Sequence, residues 1–320
     1  MEVADPAVGR PVPLARVRAL DAISGRDGIV VGVAVDHRDA LRALLERRGL
    51  AGDDATVAAF KVRIVETLAP LASVVLIDVE LGAGPALATG ALPGSTALAV
   101  PLEAQGYGSL HLVGETTFME DWSPAKARAL GAAACKLLLP YRVDDEAQAG
   151  RQDAVVRRAV AACRAAGVAL VLEPVVYPRP DRPDDPEVRA SLIVAGARRL
   201  AALGPDVLKL QHPGSAHACD ELDRACGPDV PWVLLGGGAD ADTLERQVEE
   251  ACAAGASGFI VGRTLFDGAL VADRAAADRS LVETSVPLLE RLAATARRLG
   301  TPWRERVGPI AAPPPGWHRA

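Results

Sequence analysis

Eight near-continuous apolar runs recur along this chain, and between most of them lies a segment with helical spacing. The runs cover 29–35, 73–80, 96–103, 133–141, 168–177, 206–212, 231–238 and 258–266. Helical spacing marks 39–49, 55–69, 124–131, 148–166, 186–203, 216–226, 241–254 and 279–299. Runs that are apolar at consecutive positions belong to strands covered on both faces, which is how parallel sheets are buried. Eight such repeats predict an α/β fold of one (β/α)8 TIM barrel rather than an open, doubly wound sheet, and 320 residues accommodate it. No GxGxxG follows the first run, so the usual signal for dinucleotide binding is missing. A short helix at 14–24 is expected to close the bottom of the barrel. Residues 1–13 are expected to form a flexible arm, 14–303 the barrel domain, and the Pro-rich stretch 304–320 a flexible tail.

Charge narrows the range of partners. The net charge is −6 with a pI of about 5.5, and the basic residues are scattered, which argues against nucleic acid as a partner. No apolar run approaches the ~18 uninterrupted residues of a membrane span. The first twenty residues contain no apolar core of a signal peptide, so a cytoplasmic location is expected. The five cysteines (135, 163, 219, 226, 252) form no CxxC pair and read as small, reduced core residues.

Of the 35 Lys+Arg, only Lys61, Lys126, Lys136 and Lys209 are lysine. Two of these four, Lys136 in ACKLLLPY and Lys209 in DVLKLQHP, fall inside predicted strands, where an unpaired ammonium is costly. A chain that otherwise uses arginine and keeps lysine there has a use for an amine that can lose its proton. Lys209 is accordingly the candidate Schiff-base nucleophile. The plainer alternative is a lysine at a strand end that snorkels to solvent or pairs with a carboxylate.

In a barrel the active site forms where the strands end. Those ends supply Asp36, Glu80, Glu103, Lys136, Glu173 and Lys209 from the first six strands. The seventh ends in Gly236-Gly237-Gly238 and the eighth in Gly262-Arg263. Carbon–carbon cleavage through an imine needs this combination. A neutral lysine attacks a ketone, a second cation (Lys136) favours the neutral amine, and a carboxylate (Glu173 or Asp36) moves protons. The two glycine turns with Arg263 are where barrels commonly hold a phosphate, because backbone N–H groups can approach an anion closely there. No cofactor and no metal is called for. A rival places a divalent ion on His37, His111 and His212, although no HxH or HxxEH-like spacing accompanies them.

Several stretches between residue 28 and Trp303 carry a resemblance: AVDHRDALRALL, FKVRIVETLAPLASVVLID, EAQGYGS, ACKLLLPY, LEPVVYP, DVLKLQHP, PWVLLGGGAD and AGASGFIVGR. In these the sequence resembles the class I aldolases of the tagatose-1,6-bisphosphate aldolase family, which includes the sulfofructose-1-phosphate aldolases. The resemblance implies a lyase that cleaves a ketose 1-phosphate, of the tagatose 1,6-bisphosphate or 6-deoxy-6-sulfofructose 1-phosphate type, into dihydroxyacetone phosphate and a three-carbon aldehyde. It implies Lys209 as imine former, with Lys136, Glu173 and Asp36 as its catalytic partners and Arg263 on the phosphate. His37, Arg38, Gln211 and the glycines 236, 237, 238 and 262 are expected to contact substrate. A homo-oligomer is expected as well. Three positions depart from the family pattern. His37 stands where members usually have Gln, Gln211 where they have Glu, and Gly236 where they have Ser. These departures bear on the substrate more than on the cleavage step. Two alternatives stay open: a Schiff-base aldolase or transferase with another substrate, and a non-catalytic barrel that binds a sugar phosphate and regulates a partner.

Overall fold

The structure, a computed structural model, describes residues 13–104 and 115–317, apart from 180, 182, 309, 311 and 314. Residues 1–12 of the expected arm, His111 and most of EAQGYGS lie outside the described residues. In order the chain forms α1 (Leu14–Ser24), β1 (Val30–Ala34), α2 (Asp39–Arg47), α3 (Asp54–Leu68) and β2 (Val74–Leu76). It continues through α4 (Ala83–Ala88), β3 (Ala97–Pro101), α5 (Pro124–Leu130), β4 (Ala134–Pro140) and α6 (Glu146–Ala166). Next come β5 (Ala169–Val175), α7 (Pro186–Ala201), β6 (Val207–Gln211), α8 (Ala216–Cys226), β7 (Trp232–Leu235) and α9 (Ala241–Ala253). Then follow β8 (Gly258–Val261), α10 (Arg263–Phe266), α11 (Arg274–Ser280), α12 (Val286–Leu299) and α13 (Trp303–Arg306), with a π-helical turn (Leu281–Ser285) between α11 and α12.

The eight strands close into one parallel barrel in sequence order, with β8 returning to β1 through Val30↔Gly258 and Val33↔Val261. Alternation of side chains across each strand divides the core in two. Val31, Val33 and Val35 of the first strand face outward to the helices, with Leu137 and Leu139 of β4 and Leu170 and Leu172 of β5. Val30, Val74, Ala99, Ala134, Val171, Val207, Val233 and Ile260 face inward and fill the lower barrel. Because β4, β5 and β6 alternate in this way, the residue two places after Ala134, Val171 or Val207 also points inward: Lys136, Glu173 and Lys209.

The lower end is sealed by α1, whose Val17, Leu20 and Ile23 pack on the inner cluster. Arg16 anchors it through a 2.9 Å ion pair with Asp206. Trp303 joins this plug, and order extends past it. Arg304 pairs with Asp21 at 2.6 Å, Arg306 pairs with Asp223, and Val307 is buried. Packing of the tail against α1 and α8 therefore moves the end of the packed region beyond the expected Trp303.

Two other elements differ from the sequence expectation. The second strand stops at Leu76 instead of running to Glu80, because Asp78 enters a buried ion pair with Lys61 of α3 and accepts the Leu81 N–H at 2.8 Å. The last strand stops at Val261, and residues 263–266 coil into α10. All five cysteines are buried and free. Among the described residues no helix is long and apolar enough to cross a membrane.

Candidate active site

At the end of the barrel opposite α1, above the apolar inner layer, lies a cavity of about 510 Å³. Its walls include Asp36, His37, Arg38, Glu103, Lys136, Glu173, Lys209, Gln211, Arg263 and the glycines 236, 237, 238 and 262. Every residue expected at the site from the sequence, Glu80 apart, therefore borders one space. Glu80 sits beyond the shortened β2 with a half-exposed side chain and pairs with Arg38.

Lys209 Nζ stands 3.1 Å from Glu173 Oε2, and Lys136 Nζ stands 3.6 Å from the same oxygen. That oxygen is buried and in ion-pair contact with both amines without an aligned hydrogen bond, so it retains lone-pair capacity. Lys136 also lies 2.8 Å from Asp36 Oδ2 and contacts Glu103, whose other oxygen accepts the Leu138 N–H at 3.1 Å. Three carboxylates thus surround Lys136. The sequence expectation made Lys136 a second cation near Lys209; in the structure three acids surround it, and it faces Lys209 across the Glu173 oxygen.

The carboxylates respond differently to this setting. Burial alone would raise the Asp36 carboxyl, but the charge and hydrogen bond of Lys136, with the charge of Lys209, outweigh it and hold Asp36 well below the usual carboxylate range. For Glu103 burial wins over Lys136, and its carboxyl is pushed up. Sequence reasoning placed Glu103 at a strand end without giving it a role. Its burial at 1% exposure against Lys136 makes it part of the charge network.

His37 follows Asp36, with its Nδ1 4.0 Å from Asp36 Oδ1 and its ring edge-on to Phe266 at 6.0 Å. Burial, reinforced by Arg263, Lys209 and Lys136, lowers its pKa to about 4 despite Asp36, so the imidazole is neutral near pH 7. His212 points elsewhere. Its Nε2 meets Glu250 of α9 at 3.0 Å and its Nδ1 accepts the Gly214 N–H. The histidines of the metal alternative are thus separated where they can be seen. Among the described residues no group of three or more His, Cys, Asp and Glu is arranged to hold a metal ion.

The turns after β7 and β8 meet at Arg263, which donates to the Gly237 carbonyl at 3.2 Å. Gly238 has φ +80°, and a Cβ there would stand 2.6 Å from Arg263 Nη2. A Cβ on Gly262 would strike the Ala34 carbonyl and come within 3.0 Å of His37 Cε1. The glycines therefore let Arg263 and His37 occupy adjoining places on the cavity wall.

Arg38 and Gln211 border the cavity with their polar ends engaged in the scaffold. Arg38 donates to Glu80 and, at 3.0 Å, to the Glu103 carbonyl, which ties together the ends of β1, β2 and β3. Gln211 accepts the Val176 N–H at 2.7 Å and donates to the Val176 carbonyl at 3.3 Å. This side chain extends the β5–β6 ladder, whose backbone register covers only Val171↔Val207 and Leu172↔Leu208. An amide can bond both ways to a peptide group, whereas a glutamate could only accept. At Gly236 a Cβ would stand 3.0 Å from Val261 Cγ1, so a side chain there would require Val261 to shift by a few tenths of an ångström.

The model of the DeoC/LacD family of aldolases matches residues 30–268. Tagatose 1,6-diphosphate aldolase 1 of Streptococcus pyogenes serotype M3 is 26% identical over 311 residues, covering 88% of this chain and 95% of that protein. Tagatose 1,6-diphosphate aldolase of Streptococcus pneumoniae serotype 4 is 27% identical over 328 residues, covering 91% and 98%. Among solved structures, an archaeal fructose 1,6-bisphosphate aldolase shares the fold at a TM-score of 0.60 and 20% identity, with 88% of this chain and 99% of that chain covered. Another, with its catalytic Lys covalently bound to the carbinolamine intermediate of the substrate, gives 0.57 at 20% identity over the same shares. With the family model spanning all eight strands, the chain belongs to the DeoC/LacD family of aldolases and is a carbon–carbon lyase.

Proposed function

We propose that this protein is a class I aldolase that cleaves a ketose 1-phosphate between C3 and C4, leaving dihydroxyacetone phosphate and an aldehyde. The observation that carries this is the single buried Glu173 oxygen in contact with both strand lysines. Lys209 Nζ adds to the C2 carbonyl, and the carbinolamine loses water to give an iminium. Glu173 takes the proton of the C4 hydroxyl. The C3–C4 bonding pair then flows into the iminium to form an enamine, and the aldehyde departs. Protonation of the enamine at C3 and hydrolysis of the resulting iminium release dihydroxyacetone phosphate and restore the amine. Lys136, fixed by Asp36 and Glu103, holds Glu173 in place and keeps positive charge beside its carboxylate. The 1-phosphate lies on the backbone N–H groups of the 236–238 turn and Gly262, with the Arg263 guanidinium.

The names of the relatives make tagatose 1,6-bisphosphate a substrate type to try first. The resemblance adds 6-deoxy-6-sulfofructose 1-phosphate, and both share the 1-phosphate end. The test is release of dihydroxyacetone phosphate from a panel of ketose 1-phosphates, with and without chelator. Release that is insensitive to chelator is expected. Release abolished by chelator and restored by a divalent ion would overturn the imine mechanism.

A further inference from the structure

Glu173 and Lys209 face each other across a seam between two strands. The register of β5 and β6 runs Val171↔Val207 and Leu172↔Leu208, and one further step would set Glu173 beside Lys209. The ladder stops just short of that step. On their other flanks both strands stay paired, β5 with β4 as far as Pro140↔Val175 and β6 with β7 as far as Gln211↔Leu235. Glu173 is therefore held with β4 and Lys136, and Lys209 with β7 and the glycine turn that follows it.

The sequence of β5 explains the break. Backbone N–H groups alternate sides along a strand. The Leu170 N–H donates to Asp206 Oδ2 at 2.8 Å, so the β6 side of β5 is the side of residues 170, 172, 174 and 176. Residue 174 is proline and has no N–H to offer there. The next of the set, the Val176 N–H, donates to Gln211 Oε1 at 2.7 Å, and Gln211 Nε2 donates to the Val176 carbonyl at 3.3 Å. One side-chain amide thus rejoins the two strands just above the level of Glu173 and Lys209.

We infer that Gln211 is a positioning residue for the imine chemistry: by clamping β6 to Val176 of β5 it sets the 3.1 Å separation of Lys209 Nζ from Glu173 Oε2. This rests on the proposed aldolase function, in which Glu173 moves the protons of the imine steps. Gln211 acts through those two groups, and its amide is spent on the Val176 peptide. Such a separation matters to the rate, since a misplacement of ~1 Å can cost about 10²-fold.

The test is borohydride trapping of dihydroxyacetone phosphate on Lys209 in the wild type, Gln211→Met, Glu173→Gln and the double variant. Two quantities are read: the trapping rate at saturating dihydroxyacetone phosphate, and the concentration that gives half that rate. Gln211→Met keeps the length of the side chain and makes neither bond to Val176. It should lower the saturating rate at least ~10-fold. The half-saturating concentration should change less than ~3-fold, because the phosphate end of the site is untouched. On the Glu173→Gln background no shuttle is left to align, and the same substitution should cost less than ~3-fold. A merely structural role gives losses of equal size on both backgrounds, and that result overturns the inference. So does a loss of less than ~10-fold in Gln211→Met, or one confined to the half-saturating concentration, which would make Gln211 a substrate contact. If Gln211→Met does not fold, Gln211→Asn, which keeps the amide and shortens its reach by one methylene, is put through the same cycle with the same criteria. Absence of an adduct in the wild type would instead remove the aldolase proposal, and the inference with it.

Discussion

Replacing Lys136 by methionine removes one charge from among three buried carboxylates and keeps most of the side-chain volume. The Asp36, Glu103 and Glu173 side chains are 10%, 1% and 6% exposed, so solvent can do little to compensate. At an effective dielectric of about 20, the 2.8 Å contact with Asp36 corresponds to ~6 kcal/mol and the 3.6 Å contact with Glu173 to ~5 kcal/mol before desolvation. Desolvation offsets much of this, and removing one partner of a buried pair typically destabilises by ~3–5 kcal/mol. For a chain of 320 residues that is a fall in Tm on the order of 4–7 °C.

The loss should depend on pH in a definite direction. In the wild type, Asp36 is held below its unfolded value, so its contribution is complete above that value and is lost only as pH falls through the folded one. In Lys136→Met the same buried carboxylates lack their cation, and burial raises them. Their penalty then grows as pH rises and is relieved as they protonate. The gap in Tm should therefore be largest near pH 8 and narrower near pH 5.5. A gap equivalent to less than ~1 kcal/mol, or one equal at both pH values, would refute this account of the charge network.

Arg263→Ala should raise KM for a phosphorylated ketose more than it lowers kcat, because the phosphate contact exists in ground and transition states alike; unchanged KM would remove Arg263 from the site. Glu173→Gln should cut turnover by ~10²–10⁴-fold while leaving substrate binding largely intact, as expected for loss of the proton shuttle; near-normal kcat would assign that role elsewhere. Gln211→Glu should destabilise the protein by ~1–2 kcal/mol in urea unfolding, since a carboxylate can accept the Val176 N–H but cannot donate to its carbonyl. A variant as stable as the wild type would show that this bridge contributes nothing measurable.

The barrel was legible because strands buried on both faces leave long apolar runs, and because every inward-pointing polar residue interrupts such a run. Lys136, Glu173 and Lys209 stood out for that reason. What escaped the sequence was mostly pairing at a distance. Lys61 lies on a helix whose pattern suits a snorkelling lysine, and nothing local tells that Asp78 waits for it, so the early end of β2 was hidden. Arg38 borders the cavity, but its bond to Glu80, 42 positions later, could not be matched to it from spacing. The helix α4 has Gly, Ala and Pro in place of an amphipathic stripe, which left it without a signal. Gln211 also borders the cavity, and its bond to the peptide group of Val176 depends on how β5 and β6 diverge at their ends, which no local pattern shows.

The central claim is that Lys209 carries the substrate. Borohydride reduction in the presence of dihydroxyacetone phosphate, followed by mass mapping of the digested protein, tests it most directly. The account predicts loss of activity together with a reduced adduct on the peptide that contains Lys209, and the same adduct in the presence of chelator. An adduct on Lys136 would contradict the assignment of the two lysines. Full activity and an unchanged mass after reduction would contradict imine chemistry altogether.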